Sequence, residues 1–209
     1  MEKGRLEAFS DGVLAVVITI MVLELKPPHE ATLAALAQAW PVFVSYVLSF
    51  VYVGIYWNNH HHLMHFAEHV NGKVMWANLH MLFWISLFPF TTAWLNEAHG
   101  EDGVFPASTP TAVYGFVLLM TALAWIPLAR SLVACNGGAQ STLARALANG
   151  WKEKISPLIY LAGIVLALSA PIVHWGPLTA CVLYAAVALL WIIPDRRIER
   201  RVATLSNSN

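Results

Sequence analysis

The sequence predicts an all-α integral membrane protein that crosses the bilayer six times within one domain, residues 1–209. First, 58% of the residues are hydrophobic and only 11% are charged, whereas a soluble domain usually carries about 25% charged residues. Second, the hydrophobic residues fall into six runs of roughly membrane-crossing length, and charged residues, glycines and prolines collect between them. The six predicted spans are residues 9–25, 32–57, 74–95, 111–130, 155–173 and 178–193.

Proline and a polar stretch delimit the first three spans. Pro27 and Pro28 end the first span, because proline lacks an N–H donor and restricts the residue before it. The second span ends in an apolar and aromatic segment, 42–57, which the histidine-rich residues 58–69 follow. Pro89 predicts a kink near the end of the third span.

Two loops and a tight turn separate the remaining spans. Residues 96–110 contain glycines, prolines and acidic side chains, and the loop 131–154 includes a stretch, 143–147, that predicts a short surface helix. Residues 174–177 form the turn before the last span, and a charged tail occupies residues 195–201. We therefore expect no separate soluble domain.

The placement of lysine and arginine predicts the orientation in the membrane. An even number of spans puts both termini on one side, and eleven of the twelve Lys and Arg residues fall on that side. Since positive charge is retained on the cytoplasmic side, we expect both termini to be cytoplasmic. The other side carries a formal charge of −4, from Glu24, Glu30, Glu97, Glu101 and Asp102 against Lys26.

Composition also argues against several classes of function. The formal net charge is zero, so no general attraction for nucleic acid is expected. The interiors of spans 2, 4, 5 and 6 contain no Asp, Glu, Lys, Arg or His, which argues against an enzyme and against a proton- or sodium-coupled transporter. Cys135 and Cys181 predict no disulfide framework, and no cofactor is expected.

A charged and polar cluster, Arg5, Phe9, Ser10 and Asp11, opens the first apolar helix. Within the apolar run that follows, Thr19 is the only polar side chain. Residues spaced i, i+3, i+4 and i+7 share one face of a helix. The residues at that spacing around the threonine are Val16, Thr19, Ile20 and Leu23.

This cluster resembles the Arg-x-x-x-Phe-Ser-Asp signature of the lysosomal-type potassium channels and their bacterial homologues. A second stretch, residues 78–92, is similar to the third helix of that family, and the resemblance is specific over residues 5–95. It implies a homotetramer in which the first helix of each subunit lines a central pore. It also implies passive, potassium-permeable conduction with a modest preference for potassium over sodium, with potassium ions and membrane lipids as partners.

The resemblance assigns roles to the residues on the pore face. It puts an inner constriction at Val16, a ring of hydroxyl ligands at Thr19 and an outer constriction at Leu23, with Ile20 on the same face. Four hydroxyls facing an axis replace part of the hydration shell of a potassium ion. The family commonly has isoleucine or leucine at the position of Val16, so the smaller side chain predicts a wider inner constriction.

Arg5, Ser10 and Asp11 are expected to hold the first helix in place. A carboxylate near the membrane boundary is costly unless it is paired, and Arg5 reaches Asp11 only across nearly two helical turns. A partner on another helix is therefore favoured. We predict a hydrogen-bonded network of these three residues with Trp57, His61 or Asn78.

The histidines leave a second function open. His61, His65 and His69 are spaced i, i+4 and i+8, which on a helix suits a transition metal. With His80 in the third span they define the alternative, a cation or metal transporter that uses the His-rich stretch 60–69. A membrane scaffold without transport is the third possibility. The sequence favours the channel, because a pore works without ionisable residues inside the membrane.

Overall fold

The computed structural model of the protein describes residues 2–97, 106–147, 150–170 and 172–192. These residues form α-helices, one short 3-10 turn at Gly138–Gln140 and no strand, so the predicted all-α class is confirmed. The helices are α1 (Lys3–Leu23), α2 (Leu33–Gln38), α3 (Trp40–His65), α4 (Gly72–Ile85), α5 (Phe88–Glu97), α6 (Ser108–Cys135), α7 (Thr142–Leu147), α8 (Trp151–Leu168) and α9 (Gly176–Ile192).

Four helical segments in the described residues are long and apolar enough to cross a membrane. They are α1, α3, the α4–α5 pair taken together, and α6. The two remaining predicted spans correspond to α8, whose 18 residues begin with a charged turn, and α9, which is apolar but has only 17 residues. The number of six spans therefore stays a prediction.

Two helices extend beyond the predicted spans into charged or polar sequence. α1 begins at Lys3 rather than at residue 9, and α3 continues through the histidines to His65 rather than ending at residue 57. The predicted limits followed hydrophobicity, whereas backbone hydrogen bonds set the limits of a helix and tolerate polar side chains in the terminal turns. The motif cluster and most of the His-rich stretch are consequently helical.

Two predicted spans are each interrupted near a proline. The second span divides into α2 and α3 at Ala39, two residues before Pro41. The third divides at residues 86–87, because Pro89 lacks the N–H that would bond to the carbonyl of Ile85. The break lies near the middle of this segment, whereas the sequence predicted a kink near its end.

The predicted short helix at residues 143–147 is present as α7. It is not only a surface feature, since the side chain of Leu143 is fully buried against the bundle. Other predicted features lie outside the described residues: the acidic Glu101 and Asp102 of the outer loop, and the charged tail from residue 195 onward.

α6 occupies the centre of the bundle, where it contacts α4, α5, α8 and α9. α1 lies at an edge and packs against α3, α4 and α5. Only 28% of the apolar segment of α1 is buried, compared with 50% for α6. One subunit therefore leaves most of its first helix uncovered.

A cluster of tyrosines fills the space between α3, α6, α8 and α9. The Tyr52 hydroxyl donates to the Tyr184 carbonyl at 2.6 Å, and both rings are fully buried. Tyr184 in turn lies against Gly115 on α6 and Gly163 on α8, where any Cβ would collide with its side chain. Glycine at these two positions allows α6, α8 and α9 to pack around a large aromatic ring.

Candidate functional site

The two faces of α1 have different environments. One face is packed into the subunit through Leu6, Ser10, Leu14, Val17 and Met21. The predicted pore face is largely open: Val16 is 55% exposed, Ile20 42% and Leu23 78%, and Thr19 is exposed between them. An apolar face with one hydroxyl is thus left open by a single copy of the chain.

The Thr19 hydroxyl bonds to its own helix. It donates its hydrogen to the Val16 carbonyl, with 2.8 Å between the oxygens, a common arrangement for threonine in membrane helices. The donated hydrogen points toward the backbone, so the oxygen lone pairs face away from it. A hydroxyl held in this way has a fixed rotamer and retains acceptor capacity for a cation.

A buried chain of hydrogen bonds joins α1 to α3 and α4. Ser10 donates to the Leu6 carbonyl at 2.8 Å, and the Asn78 amide donates to the Ser10 hydroxyl at 2.9 Å. The Asn78 carbonyl oxygen lies 2.9 Å from Nε2 of His60. Because an amide oxygen can only accept, Nε2 of His60 carries the hydrogen. Ser10, His60 and Asn78 are almost completely buried, so these bonds fix the depth and rotation of α1.

A second contact joins α1 to α3 at the surface of the subunit. The Trp57 indole N–H donates to the Asp11 carboxylate at 3.1 Å. The His61 ring stacks on Trp57, with 6.0 Å between the ring centroids and an interplanar angle of 22°. The carboxylate therefore has a partner on another helix, at the end of the span where the sequence expects the network.

The structure does not bring every predicted network residue together. Arg5 is exposed, and its side chain has no hydrogen-bond or ion-pair partner among the described residues. Phe9 is half exposed. His61, which was predicted to join the network, makes no hydrogen bond to the motif. The adjacent His60, which was not predicted, is part of the buried chain. Helical spacing indicates that His60 is buried, since it follows the buried Tyr52 and Tyr56 at intervals of four residues.

A further polar cluster, which was not predicted from the sequence, lies toward the opposite end of the span. The Ser49 hydroxyl on α3 is 2.7 Å from the Thr92 hydroxyl on α5 and 3.0 Å from the Tyr114 hydroxyl on α6. Ser45 and Asn96 form another side-chain hydrogen bond between α3 and α5 one turn away. These bonds hold the helices behind α1 together near its C-terminal end.

The C-terminal end of α1 is also tied to α5. Lys26, just after the helix, forms an ion pair with Glu97 at 2.6 Å. The hydrogen bond to Glu97 and its negative charge raise the pKa of Lys26. Both side chains are well exposed, so solvent screens the pair. α1 is thereby connected to neighbouring helices at both ends, with its uncovered face between them.

The histidines do not form the spaced set that the metal alternative needs. α3 ends at His65, so His69 leaves the helix and its backbone N–H bonds to Asn136. In the described part of the chain, no group of three or more His, Cys, Asp or Glu side chains is arranged to hold a metal ion. The i, i+4, i+8 spacing is therefore not realised in space.

The amino-acid sequence of this chain is similar to those of several known proteins. Residues 5–89 match the family described as endosomal/lysosomal potassium channel TMEM175. A protein of Chryseobacterium sp. (strain P1-3), named a potassium channel, is 48% identical over 200 residues, which cover 96% of this chain and 97% of that protein. A protein of Streptomyces collinus with the same description is 38% identical over 128 residues, 59% of this chain and 61% of the relative.

The fold is also similar to that of a solved structure. It is the crystal structure of a lysosomal potassium-selective channel TMEM175 homolog from Chamaesiphon minutus, with a TM-score of 0.75 and 24% sequence identity. The alignment covers 92% of this chain and 97% of that chain. The likeness in fold thus extends well beyond the residues that match the family description.

Proposed function

Because this chain belongs to the TMEM175 family of potassium channels, we propose that it conducts potassium passively, as a homotetramer whose pore is lined by α1 of each subunit. The family is one of channels and not of enzymes. The observation that carries the proposal is the uncovered face of α1, which is apolar apart from Thr19 and lies opposite a face fixed inside the subunit.

The requirement for several copies follows from the position of α1. One chain supplies one such helix at the edge of its bundle, and a single helix cannot enclose a path for ions. Identical subunits close into a ring about a rotation axis, which brings the uncovered faces together. Four subunits are the number that the family resemblance implies.

The proposed pore has two apolar constrictions and one polar ring. Val16 narrows it toward the cytoplasm and Leu23 toward the outside, with Ile20 on the same face. Thr19 lies between the constrictions, and its hydroxyl oxygen is oriented by the bond to Val16. Four such oxygens around the axis replace part of the hydration shell of a potassium ion. Sodium holds its water more tightly than potassium does, so a modest preference for potassium follows.

Conduction is passive in this proposal because α1 carries no ionisable side chain between Asp11 and Glu24. A coupled transporter usually has an ionisable group or a substrate site near the midplane of the membrane. We do not pursue the transporter alternative, because the family is one of channels and the described histidines do not cluster. Permeant potassium is the only ion that the mechanism requires.

Six spans, cytoplasmic termini and a location in the plasma membrane of a bacterial-type cell complete the proposal. The distribution of lysine and arginine supports the orientation, and relatives from bacteria support the location. In this orientation the buried network of Ser10 and Asn78 lies toward the cytoplasm, and the Lys26–Glu97 ion pair lies outside.

Thiol modification tests whether α1 lines the pore. In a background with Cys135→Ser and Cys181→Ser, we expect a cationic methanethiosulfonate reagent to reduce the current of Thr19→Cys progressively. The matched control is Val17→Cys, two residues away but 3% exposed on the packed face, and its current should not change. A current through Thr19→Cys that is insensitive to the reagent, while mass spectrometry shows the thiol modified, would contradict the proposal.

A further inference from the structure

α4 carries an ionisable side chain inside the apolar part of its span. His80 is the eighth residue after Gly72, which places it about 12 Å along the helix axis and one turn deeper than Trp76, a typical interfacial residue. The His80 side chain is exposed on the surface of the subunit. Ionisable residues within membrane spans almost always face protein or a water-filled cavity rather than lipid.

A hydrogen bond within α4 determines which imidazole nitrogen of His80 is protonated. The Trp84 indole N–H donates to Nε2 of His80 at 3.0 Å. Indole nitrogen can only donate, so Nε2 must be the acceptor and the hydrogen of the neutral ring is on Nδ1. This N–H has no acceptor among the described residues. Exposed to hydrocarbon, such a donor is unfavourable.

His80 belongs to a continuous exposed strip on α4. We call this the His80 strip, and its residues are Trp76, Leu79, His80, Phe83 and Ser86. The strip combines large apolar side chains, of which Trp76 is 74% and Phe83 55% exposed, with two polar groups inside the span. α4 also packs directly against α1 and is bonded to it through Asn78. In a ring of subunits around α1, the helices next to α1 are closest to the neighbouring copy.

We propose that the His80 strip packs against the neighbouring copy of this chain, and that Nδ1–H of His80 donates a hydrogen bond to an acceptor of that copy. The inference rests on the proposed homotetramer and specifies a surface that assembles it. The contact satisfies a donor that no described residue of the same chain reaches, and it removes the apolar strip from lipid. The bond from Trp84 keeps the ring oriented for this contact.

Spin-label accessibility tests the location of the strip. His80→Cys would be labelled in liposomes, with Cys135→Ser and Cys181→Ser as background, and compared with Val165→Cys on the exposed side of α8 and Leu118→Cys in the core. We expect the label at position 80 to be shielded from oxygen and from a water-soluble nickel complex, as at position 118. Oxygen access as high as at position 165, or strong access of the nickel complex, would overturn the proposal.

Two further variants test the hydrogen bond itself. His80→Gln retains an N–H donor, whereas His80→Leu removes it at similar bulk, and His62→Leu alters an exposed histidine at the end of α3. We expect a loss of tetramer on dilution in detergent for His80→Leu only, and equal tetramer in all three would overturn the proposal. Currents recorded from the same samples distinguish a failure of this inference from a failure of the proposed potassium conduction. Conduction with a lipid-exposed position 80 contradicts this inference alone, and a shielded position 80 without conduction contradicts the proposed function alone.

Discussion

Asn78 is the residue on which the placement of α1 depends most directly. Its amide group gives one hydrogen bond to Ser10 and makes another with His60, and all three side chains are buried. A buried polar group that loses its partner costs about 1–3 kcal/mol. Removing the amide therefore leaves the N–H of His60 on α3 without its acceptor, and it removes the hydrogen bond that joins Ser10 on α1 to α4.

We expect Asn78→Leu to destabilise the protein by about 2 kcal/mol or more, measured as a lower midpoint of thermal unfolding in detergent. Asn58→Leu is the matched control, because Asn58 lies on α3 two residues before His60, is exposed and forms no hydrogen bond with the motif among the described residues. An unchanged midpoint for Asn78→Leu, or an equal decrease for both variants, would show that the buried chain does not stabilise α1.

Part of this network could be predicted from the sequence, because few polar side chains lie at the same membrane depth as the motif at the start of α1. Ser10 and Asp11 have partners from the predicted set, Asn78 and Trp57. The sequence could not choose between His60 and His61, because adjacent residues on a helix point about 100° apart and only the packing of α3 decides which is buried. Arg5 was expected in the network as part of the motif that the family resemblance assigns to anchoring α1, and its side chain has no partner among the described residues.

The helices α8 and α9 pack closely against each other at a glycine, and the sequence alone does not show this contact. Gly163 on α8 faces the ring of Tyr184 on α9, and a Cβ there would overlap the ring. We expect Gly163→Ala to destabilise the protein by about 1–3 kcal/mol, despite the higher helix propensity of alanine. Unfolding of the purified protein would measure this effect.

Gly54→Ala is the control for the glycine experiment. Gly54 lies within α3 and has no atom within 4 Å of the position of a Cβ, so alanine should be neutral or stabilising. Similar stability of both variants would mean that α8 and α9 separate easily, and that the tyrosine cluster is not tightly packed.

The limits of the helices were predictable only where the determinant is local. Pro27 and Pro28 follow α1 closely, and the short helix α7 was found from its composition. The position of the break between α4 and α5 was not predicted correctly. Proline removes a backbone hydrogen bond on its N-terminal side, and tertiary packing determines how many residues leave the helix there. Hydrophobicity also underestimated α1 and α3, whose charged and polar terminal turns remain helical.

In the complete bundle, α1 and α3 are the least covered of the long apolar helices, with 28% and 22% of their apolar segments buried. The interior is built around α6, while α1 is tied at its N-terminal end by Ser10 and Asp11 and just after its C-terminal end by Lys26. These ties hold the uncovered face in a defined orientation without filling the space in front of it. This arrangement suits a helix that completes its contacts with other copies around an axis.

Passive, potassium-preferring conduction is the property on which the proposed function depends, and it can be tested through the reversal potential of the purified protein. We would record current in a planar bilayer with potassium chloride on one side and sodium chloride on the other. We expect single-channel currents that vary linearly with voltage and reverse at a potential that favours potassium. Absence of such current, together with uptake into liposomes that saturates with potassium concentration, would contradict it.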